Sequence, residues 1–330
     1  MNKAAKRITA FAVTAAGLAV LFVFAVNTGS IKVSVSELFC GLFIENNPQV
    51  DAIFDLRFPR IFIAILGGAA LAVSGVLLQA VMKNPLADPG IIGISSGASF
   101  TAMIIVAFVP SLYFFTPLLA CIGGLITFAL VYSLSWRGGL SPLRIILVGV
   151  AINAMFTGLM GAFTSGMGAI SSDAANLVNS YISMKNWNDL KVLAIYVTIG
   201  LAASFFVLNK CNLLALEDKT ARSLGVNVSQ TRIVVSVIAV LLASISTAVI
   251  GPISFLGLIV PHIARIFVGS DHKVLVPYSI LLGAFTLLLA DTLGRTIAAP
   301  QEISASVIMA VVGGPFFIIL LRGAKSSYGK

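Results

Sequence analysis

Apolar residues run through the chain in long stretches that short polar segments interrupt. Ile61–Leu78 and Ile233–Ile250, for example, contain no charged residue. Backbone N–H and C=O groups in hydrocarbon must be satisfied internally, so such stretches form helices or closed barrels. Barrel strands would show two-residue alternation over segments of about ten residues, and these runs do not. The pattern therefore predicts an all-α membrane protein.

Ten apolar segments approach the length of about 20 residues that a helix needs to cross a bilayer. The predicted spans are 8–28, 59–81, 91–109, 113–135, 142–165, 191–209, 231–250, 254–268, 274–296 and 303–321. Gly251-Pro252 is expected to break the backbone between the seventh and eighth spans. The first span follows basic residues, as a signal peptide does, but it exceeds the usual apolar core of about 7–15 residues. We expect it to be retained.

The composition excludes an ordinary soluble globule and points to one transmembrane domain over residues 1–330. Hydrophobic residues make up 58% of the chain and charged residues 10%, against about 45–50% and 25% in soluble domains. Three dispersed cysteines and two histidines give no metal-binding pattern, so no metal site is expected. The sequence contains no GxxxxGK[ST] motif and no convergent intramembrane carboxylates. It therefore predicts neither an ATP-binding cradle nor an enzyme.

The basic residues set the orientation of the spans. With a cytoplasmic N-terminus, fifteen Lys and Arg residues fall on the inner side and six on the outer side. Inner loops of membrane proteins carry such an excess, so both termini are predicted to be cytoplasmic. The net charge of +9 is thus explained by the membrane, and no nucleic-acid partner is expected.

Three arginines are predicted on the outer side, where basic residues are otherwise scarce. Arg57 and Arg60 flank the start of the second predicted span, with Arg60 in its first turn, where the helix dipole disfavours a cation. Arg295 is expected at the same face, four residues after Asp291, a spacing that favours an ion pair on a helix. These cations either snorkel to the interface or meet an acidic partner outside the cell. Charge alone leaves both interpretations open.

A second unusual segment is the inner loop between the sixth and seventh spans, Lys210–Arg232. It mixes apolar positions with charges, which predicts one or two short amphipathic helices with a turn at Gly225. Such a segment is either an ordinary solvated loop or a docking element for a cytoplasmic partner.

Proline, glycine and small hydroxylated residues cluster at two places. Asn84–Gly90 holds two prolines and a glycine, which predicts a rigid inner turn. Gly251–Gly257 echoes that turn later in the chain and hints at an inverted repeat. Small residues after the first turn and along the fifth span either allow close helix packing or line a weakly polar substrate route. Those considered as lining are Ser95, Ser96, Asn153, Thr157, Gly161, Thr164 and Ser165.

Several segments, in their order and spacing, resemble one family over essentially the whole chain. They are Leu56–Arg60, Gly75, Gln79, Asn84–Gly90, Gly93, Ala221–Gly225, Gly251–Leu258, Pro261-His262, Arg265, Ala290-Asp291, Arg295 and Gly313–Phe316. Together they resemble the FecCD-type ABC importer permeases, which carry ferric siderophores, haem and cobalamin.

The resemblance implies a type II importer permease fold with ten spans, built as an inverted repeat in a bacterial cell membrane. It also implies a dimer with a second permease subunit, identical or not, two cytoplasmic ATPase subunits and an extracytoplasmic binding protein. The chain itself would bind no cofactor, and ATP and Mg would be used by the ATPase. The cargo implied is an iron complex, either a ferric siderophore or haem. Cobalamin is the alternative within the family, and an ion-coupled secondary transporter is the alternative from another class.

The same resemblance implies roles for particular residues. Arginines matching Arg57, Arg60 and Arg295 meet glutamates of the binding protein. The segment 213–228 couples to the ATPase, and its candidate contact residues are Leu216, Glu217, Asp218, Ala221, Arg222, Leu224 and Gly225. Asn84 and Leu86, with Ser141 at the inner start of the fifth span, resemble the cytoplasmic gate. Pro142 follows Ser141 where relatives often carry a hydroxyl, a departure that bears on the gate assignment.

Overall fold

The structure is a computed structural model that describes residues 3–29, 37, 40–41, 44, 47–135, 142–166 and 182–325. These residues form helices and turns, and no strand occurs among them. We number the longer helices α1 (Lys3–Asn27), α2 (Pro48–Met82), α3 (Ile94–Phe108), α4 (Thr116–Ser135), α5 (Pro142–Gly166), α6 (Trp187–Phe205), α7 (Leu208–Leu214), α8 (Asp218–Ser223), α9 (Val228–Ile250), α10 (Leu256–Val268), α11 (His272–Ile297) and α12 (Ala305–Lys325). A 3₁₀ helix, Pro110–Phe115, precedes α4.

The predicted all-α membrane architecture is confirmed. Within the described residues, eight helices are long and apolar enough to cross a membrane. The third and eighth predicted spans correspond to shorter apolar helices, α3 with 15 residues and α10 with 13. Both are shortened at their N-terminal ends, because Gly93 is left-handed and the backbone from Gly251 to Phe255 is not helical. The predicted break at Gly251-Pro252 is therefore present.

Helix α2 is much longer than the predicted span. It starts at Pro48, where Asn47 Oδ1 accepts a hydrogen bond from the Gln49 N–H at 3.0 Å. Asn followed by Pro is itself a helix-start signal, and Pro59, expected near the start, lies inside the helix. The expectation that Arg60 occupies a first turn is therefore wrong, and the dipole argument does not apply to it. At 35 residues, α2 is about 52 Å long and exceeds the hydrocarbon thickness of about 30 Å.

The centre of α2 is the core of the bundle. It is surrounded by α6, α9, α10 and α11, and its residues from 67 to 79 are all buried. Glycines allow α2 and α10 to approach each other closely. A Cβ added to Gly75 would lie only 2.0 Å from the Gly257 carbonyl oxygen. Close approach through small residues is a usual way for membrane helices to pack.

The periphery of the bundle is formed by helices with little buried surface. Only 17% of the most apolar part of α1 and of α12 is buried, and 22% of that of α5. Their exposed apolar side chains require lipid or another subunit as a neighbour. The N-terminal helix is nevertheless attached to the core, since Thr14 Oγ1 and Tyr278 Oη hydrogen bond at 3.0 Å and Arg7 Nε donates to the Val268 carbonyl at 3.0 Å.

Candidate functional site

The three outer arginines converge on one open cavity. Arg57, Arg60 and Arg295 line a cavity of about 790 Å³ together with Glu302 and the Ala299-Pro300 turn. They come from two helices, because Arg57 and Arg60 lie on α2 and Arg295 lies in the last turn of α11. The fold thus brings together the cations that the sequence predicts at one outer face.

Arg60 is already neutralised within the chain. Its Nη2 donates to Asp291 Oδ1 at 2.9 Å and its Nε to Asp291 Oδ2 at 3.0 Å, while Nη1 donates to Glu302 Oε2 at 2.9 Å. The Arg60 and Asp291 side chains are 9% and 2% exposed. A buried guanidinium with bidentate carboxylate contacts is held in a fixed geometry, so Arg60 joins α2 to α11 and to the Glu302 segment.

Arg57 and Arg295 keep more of their hydrogen-bonding capacity. Arg57 Nη1 donates to the Val26 carbonyl at 2.6 Å, and no carboxylate among the described residues pairs with this guanidinium. Arg295 Nε lies 3.5 Å from Asp291 Oδ2, which confirms the expected i,i+4 pair. Its Nη2 is buried and has no hydrogen-bond partner in the described structure. An added oxyanion would therefore find donors at these two residues.

On the opposite end of the bundle, the short helices predicted for the inner loop are present. They are α7 and α8, and Gly225 adopts a left-handed φ of +80°. Leu216 and Leu224 are exposed, and Ala221 is buried. Glu217, Arg222 and Gly225 are also exposed, and Asp218 is half-buried. The segment therefore presents apolar and charged groups on one solvent-facing surface, as a docking element requires.

A lysine at the end of α2 binds this segment directly. Lys83, left-handed with φ +48°, donates through Nζ to the Leu216 carbonyl and to Asp218 Oδ1, the latter at 2.8 Å. Arg232 at the base of α9 also pairs with Asp218 Oδ1 at 3.0 Å. The hydrogen bond from Lys83, with the charge of Arg232, holds the pKa of Asp218 below its usual range.

The residue after Lys83 opens the expected rigid turn. Asn84 is buried, and its Oδ1 accepts a hydrogen bond from the Leu86 N–H at 3.0 Å. This side-chain turn fixes the backbone at the point where α2 ends. Ser141, the third residue of the predicted gate, lies outside the described residues.

Asp88 anchors the same turn from inside. Its Oδ1 accepts a hydrogen bond from the Ile91 N–H at 2.9 Å, and the N–H groups of Gly90, Phe255 and Gly257 also favour the carboxylate. Burial outweighs these contacts and raises the pKa of Asp88 to about 6. The carboxyl group thus connects the two Pro/Gly breaks that the sequence suggested were related.

The residues considered as pathway lining fall into two groups. Ser95 and Ser96, at the start of α3, are buried within the chain. The α5 residues are more open: Thr157, Gly161 and Ser165 are exposed, and Asn153 and Thr164 are half-buried. A Cβ at Gly158 or Gly161 would meet nothing within 4 Å, so these glycines are not used for packing inside the chain.

Hydroxyl groups along α5 are satisfied by their own helix. Thr157 Oγ1 donates to the Asn153 carbonyl at 2.8 Å, and Thr164 Oγ1 to the Met160 carbonyl at 3.0 Å. A surface built this way is polar but offers no strong free donor. Such a surface is compatible with contact to a partner subunit or a passing ligand.

Three residues of these sites were not assigned from the sequence. They are Lys83, Asp88 and Glu302, whose partners are remote in the chain, on α8, around α10 and on α2 respectively. The available signal was weak: Asp88 is an acid between apolar and proline residues, and Glu302 is an acid in the predicted outer loop that follows the span ending near Arg295.

Comparison with known proteins agrees with this fold. The profile of the FecCD transport family matches residues 17–323. A Staphylococcus aureus (strain Newman) protein, "Probable heme-iron transport system permease protein IsdF", is 43% identical over 294 residues, 89% of each chain. A solved structure described as a metal-chelate type ABC transporter in an inward-facing conformation has a TM-score of 0.78 and 29% identity, covering 96% of this chain and 99% of its own.

A more distant solved structure supports the fold alone. PsaBC from Streptococcus pneumoniae, in complex with a Fab, matches with a TM-score of 0.59 and 15% identity over 87% of this chain and 95% of that chain. The family profile and the IsdF relative both extend over most of the sequence. The chain therefore belongs to the FecCD transport family.

Proposed function

We propose that the chain is the membrane permease subunit of an ABC importer that carries an iron complex, a ferric siderophore or haem. The observation that carries the proposal is the match to IsdF, named for heme-iron transport, over 89% of both chains at 43% identity. This match favours haem as the cargo. The many helices that can span a membrane place the protein in the bacterial cell membrane as a multi-pass subunit.

The partners proposed are a second permease, two cytoplasmic ATPase subunits that use ATP and Mg, and an extracytoplasmic binding protein. Two regions at opposite ends of the bundle support these partners. The cavity with Arg57 and Arg295 offers donors for acidic side chains of the binding protein, with Arg60 as the third member of the predicted set. The exposed surface of α7 and α8 offers the ATPase an apolar and charged docking element.

The proposed mechanism links these surfaces through rigid helices. A loaded binding protein docks on the outer arginines, and closure of the ATPase dimer moves α8. Lys83 passes this movement to the end of α2 and the turn with Asn84 and Leu86, which, with Ser141, form the proposed cytoplasmic gate. The cargo then passes along the row from Asn153 to Ser165, whose self-satisfied hydroxyls bind it weakly.

Reconstitution tests the cargo and the energy source together. Proteoliposomes that contain the permease, its ATPase and haem-loaded binding protein outside are expected to accumulate haem only with ATP and Mg trapped inside. The measurement is haem inside the vesicles against time, compared with vesicles that contain ADP. Uptake driven by an ion gradient without ATP would instead support the secondary-transporter alternative. Parallel runs with ferric siderophore or cobalamin separate the cargo classes.

Accessible cysteines test the predicted sidedness. Cys40 is exposed, whereas Cys121 and Cys211 are buried, so Cys40 is a native reporter for the segment between α1 and α2. In intact protoplasts, a membrane-impermeant maleimide is expected to label Cys40. In a Cys40→Ser background, Glu217→Cys is expected to react only after permeabilisation. Labelling of position 217 from outside would reverse the orientation and remove the ATPase-docking role.

A further inference from the structure

A cavity of about 270 Å³ lies where the proposed gate turn meets the junction between α10 and α11. Its lining includes Lys83 and Asn84 from the turn, Ala215 from the segment between α7 and α8, and Arg265 and His272 from the junction. The Lys83 ammonium is already bound to Asp218 and the Leu216 carbonyl. The chemistry of the cavity therefore depends on the remaining polar side chains.

Arg265 is a cation without a counter-ion. Its Nη1 is buried and has no hydrogen-bond partner, and no carboxylate of the described residues lies within ion-pair distance. Arg265 lies in the last turn of α10, but it is not needed there to bind the carbonyl groups at the helix end. Lys6 Nζ and Arg7 Nε take the Ile266 and Val268 carbonyls at the end of that helix, each at 3.0 Å. A cation with a buried, unpaired donor atom is costly without an anion, so an anion from outside the chain fits this position.

His272 adds a hydrogen-bond acceptor beside this cation. Asn212 Nδ2 donates to Asp271 Oδ1 at 2.8 Å, which makes Asn212 Oδ1 an acceptor for His272 Nδ1 at 2.7 Å. The proton of the neutral imidazole is therefore on Nδ1. Nε2 carries the lone pair, and it is buried without a partner in the described structure. It can accept a hydrogen bond from a hydroxyl group.

Asn84 supplies a second hydrogen-bond donor, which is uncharged. Its residue is 3% exposed, its Oδ1 is used by the Leu86 N–H, and its Nδ2 has no partner among the described residues. Gln79 Oε1 also lines the cavity and is buried without a partner in the described structure, so two unsatisfied donors and two acceptors meet there. Most buried polar atoms in native structures are hydrogen bonded, so four unpaired atoms at one place fit a polar group from outside the chain.

The surroundings favour an anion at the membrane surface. Lys6, Arg7 and Lys273 lie at this end of the bundle, and the nearby carboxylates of Asp218 and Asp271 are already engaged by Lys83 and Asn212. On α10, the residues next to Arg265 are Ile266 and Phe267, both exposed and apolar. A basic pocket beside an apolar helix face on the inner side is typical of sites for anionic lipid headgroups.

We propose that this cavity binds a phosphate group that carries or neighbours a hydroxyl, with Arg265 and Asn84 donating to the phosphate oxygens and His272 Nε2 accepting from the hydroxyl. Inorganic hydrogen phosphate and the headgroup of phosphatidylglycerol both have this chemistry. Arg is suited to the oxyanion because its planar donors match two phosphate oxygens. The site requires neither the cargo nor the outer arginines, so it can be tested apart from the proposed transport function.

The test uses the purified full-length chain and two probes. Sodium phosphate is titrated in neutral detergent at constant ionic strength against sodium chloride. Phosphatidylglycerol is titrated into phosphatidylcholine nanodiscs. A ligand that binds only the folded state raises the Tm as its concentration rises. Wild type is expected to show a saturable rise with at least one probe. A response to phosphate identifies free phosphate as the source, and a response to phosphatidylglycerol alone identifies the headgroup.

Arg265→Gln is expected to weaken binding by about tenfold or more, because a hydrogen bond to a charged group is lost. Lys273→Gln is the matched control. It removes a neighbouring exposed charge outside the cavity and should change the affinity by less than about twofold. If Arg265→Gln does not accumulate, Arg265→Lys keeps the charge without the planar donors and should still bind more weakly than wild type. A flat Tm with both probes, or equal affinity in wild type and the Arg265 variants, would overturn the site.

Discussion

Replacing Lys83 by Met is expected to separate ATP hydrolysis from transport in the assembled importer. Lys83 is the direct contact between the end of α2 and α8, through Asp218 and the Leu216 carbonyl. Met keeps the length of the side chain and removes the charge. A partly exposed charge-assisted contact contributes about 1 kcal/mol, which is a factor of about five in an equilibrium. If coupling depends on this contact, haem transported per ATP hydrolysed should fall about fivefold. The ratio is measured in the reconstituted complex, with both rates taken from one preparation.

Lys219→Met is the matched control for this variant. Lys219 is an exposed lysine on α8 for which the described structure gives no ion pair, so its loss should leave the transport ratio unchanged. Asp218→Asn weakens the contact from the other side, and it should produce the same defect as Lys83→Met. A purely structural role would lower the Tm and both rates together. An unchanged ratio in Lys83→Met would show that α8 does not act through α2.

Much of the architecture follows from the pattern of apolar residues, because lipid imposes one solution on the backbone. The length of α2 does not follow from it. Its first turns contain polar residues such as Gln49, Asp51 and Asp55, so hydropathy does not mark them as helical, and the start signal at Asn47-Pro48 lies within a polar loop. Pro59 then resembled a helix start because proline is favoured there, although in the structure it lies inside the helix.

The candidate sites were predicted only as far as one stretch of sequence could describe them. The short helices near Gly225 follow from mixed apolar and charged positions. Their attachment to Lys83 does not, because Lys83 and Asp218 are 135 positions apart. Likewise, Arg60 and Asp291 are separated by 231 positions. Without the fold, Arg60 is interpreted only from its local surroundings, and Lys83 is given no role.

The sequence also does not show which small residues pack against another helix. A Cβ on Gly97 would lie 1.9 Å from Thr127 Oγ1, so this glycine is required for packing α3 against α4. Gly161, in a similar run on α5, faces open space. The sequence offers both interpretations for both runs, since composition does not tell which face of a helix has a neighbour. The structure assigns packing to Gly97 and leaves the α5 row available for a partner or a ligand.

Substitutions of the three outer arginines should have two different effects: two should weaken docking of the binding protein, and one should lower the stability of the permease. Arg57→Glu and Arg295→Gln are expected to weaken docking of the binding protein by about 30-fold or more, because charge pairs at interfaces contribute about 2 kcal/mol upward. Arg60→Gln should instead lower the stability of the permease by about 3 kcal/mol, because the buried Asp291 loses its bidentate partner and keeps only the longer contact with Arg295. Affinity is measured by surface plasmon resonance on nanodiscs, and stability by thermal unfolding of the same samples.

Lys191→Glu provides the control for charge reversal, since Lys191 is an exposed cation predicted on the outer side and is not among the residues lining the cavity. It should leave docking nearly unchanged. Asp291→Asn should reproduce the instability of Arg60→Gln, because each removes one member of the same bidentate pair. Equal losses of affinity in Arg57→Glu and Arg60→Gln at unchanged Tm would contradict the division. In that case the carboxylates of Asp291 and Glu302 must release Arg60 when the binding protein arrives, and Glu302→Gln would then strengthen docking.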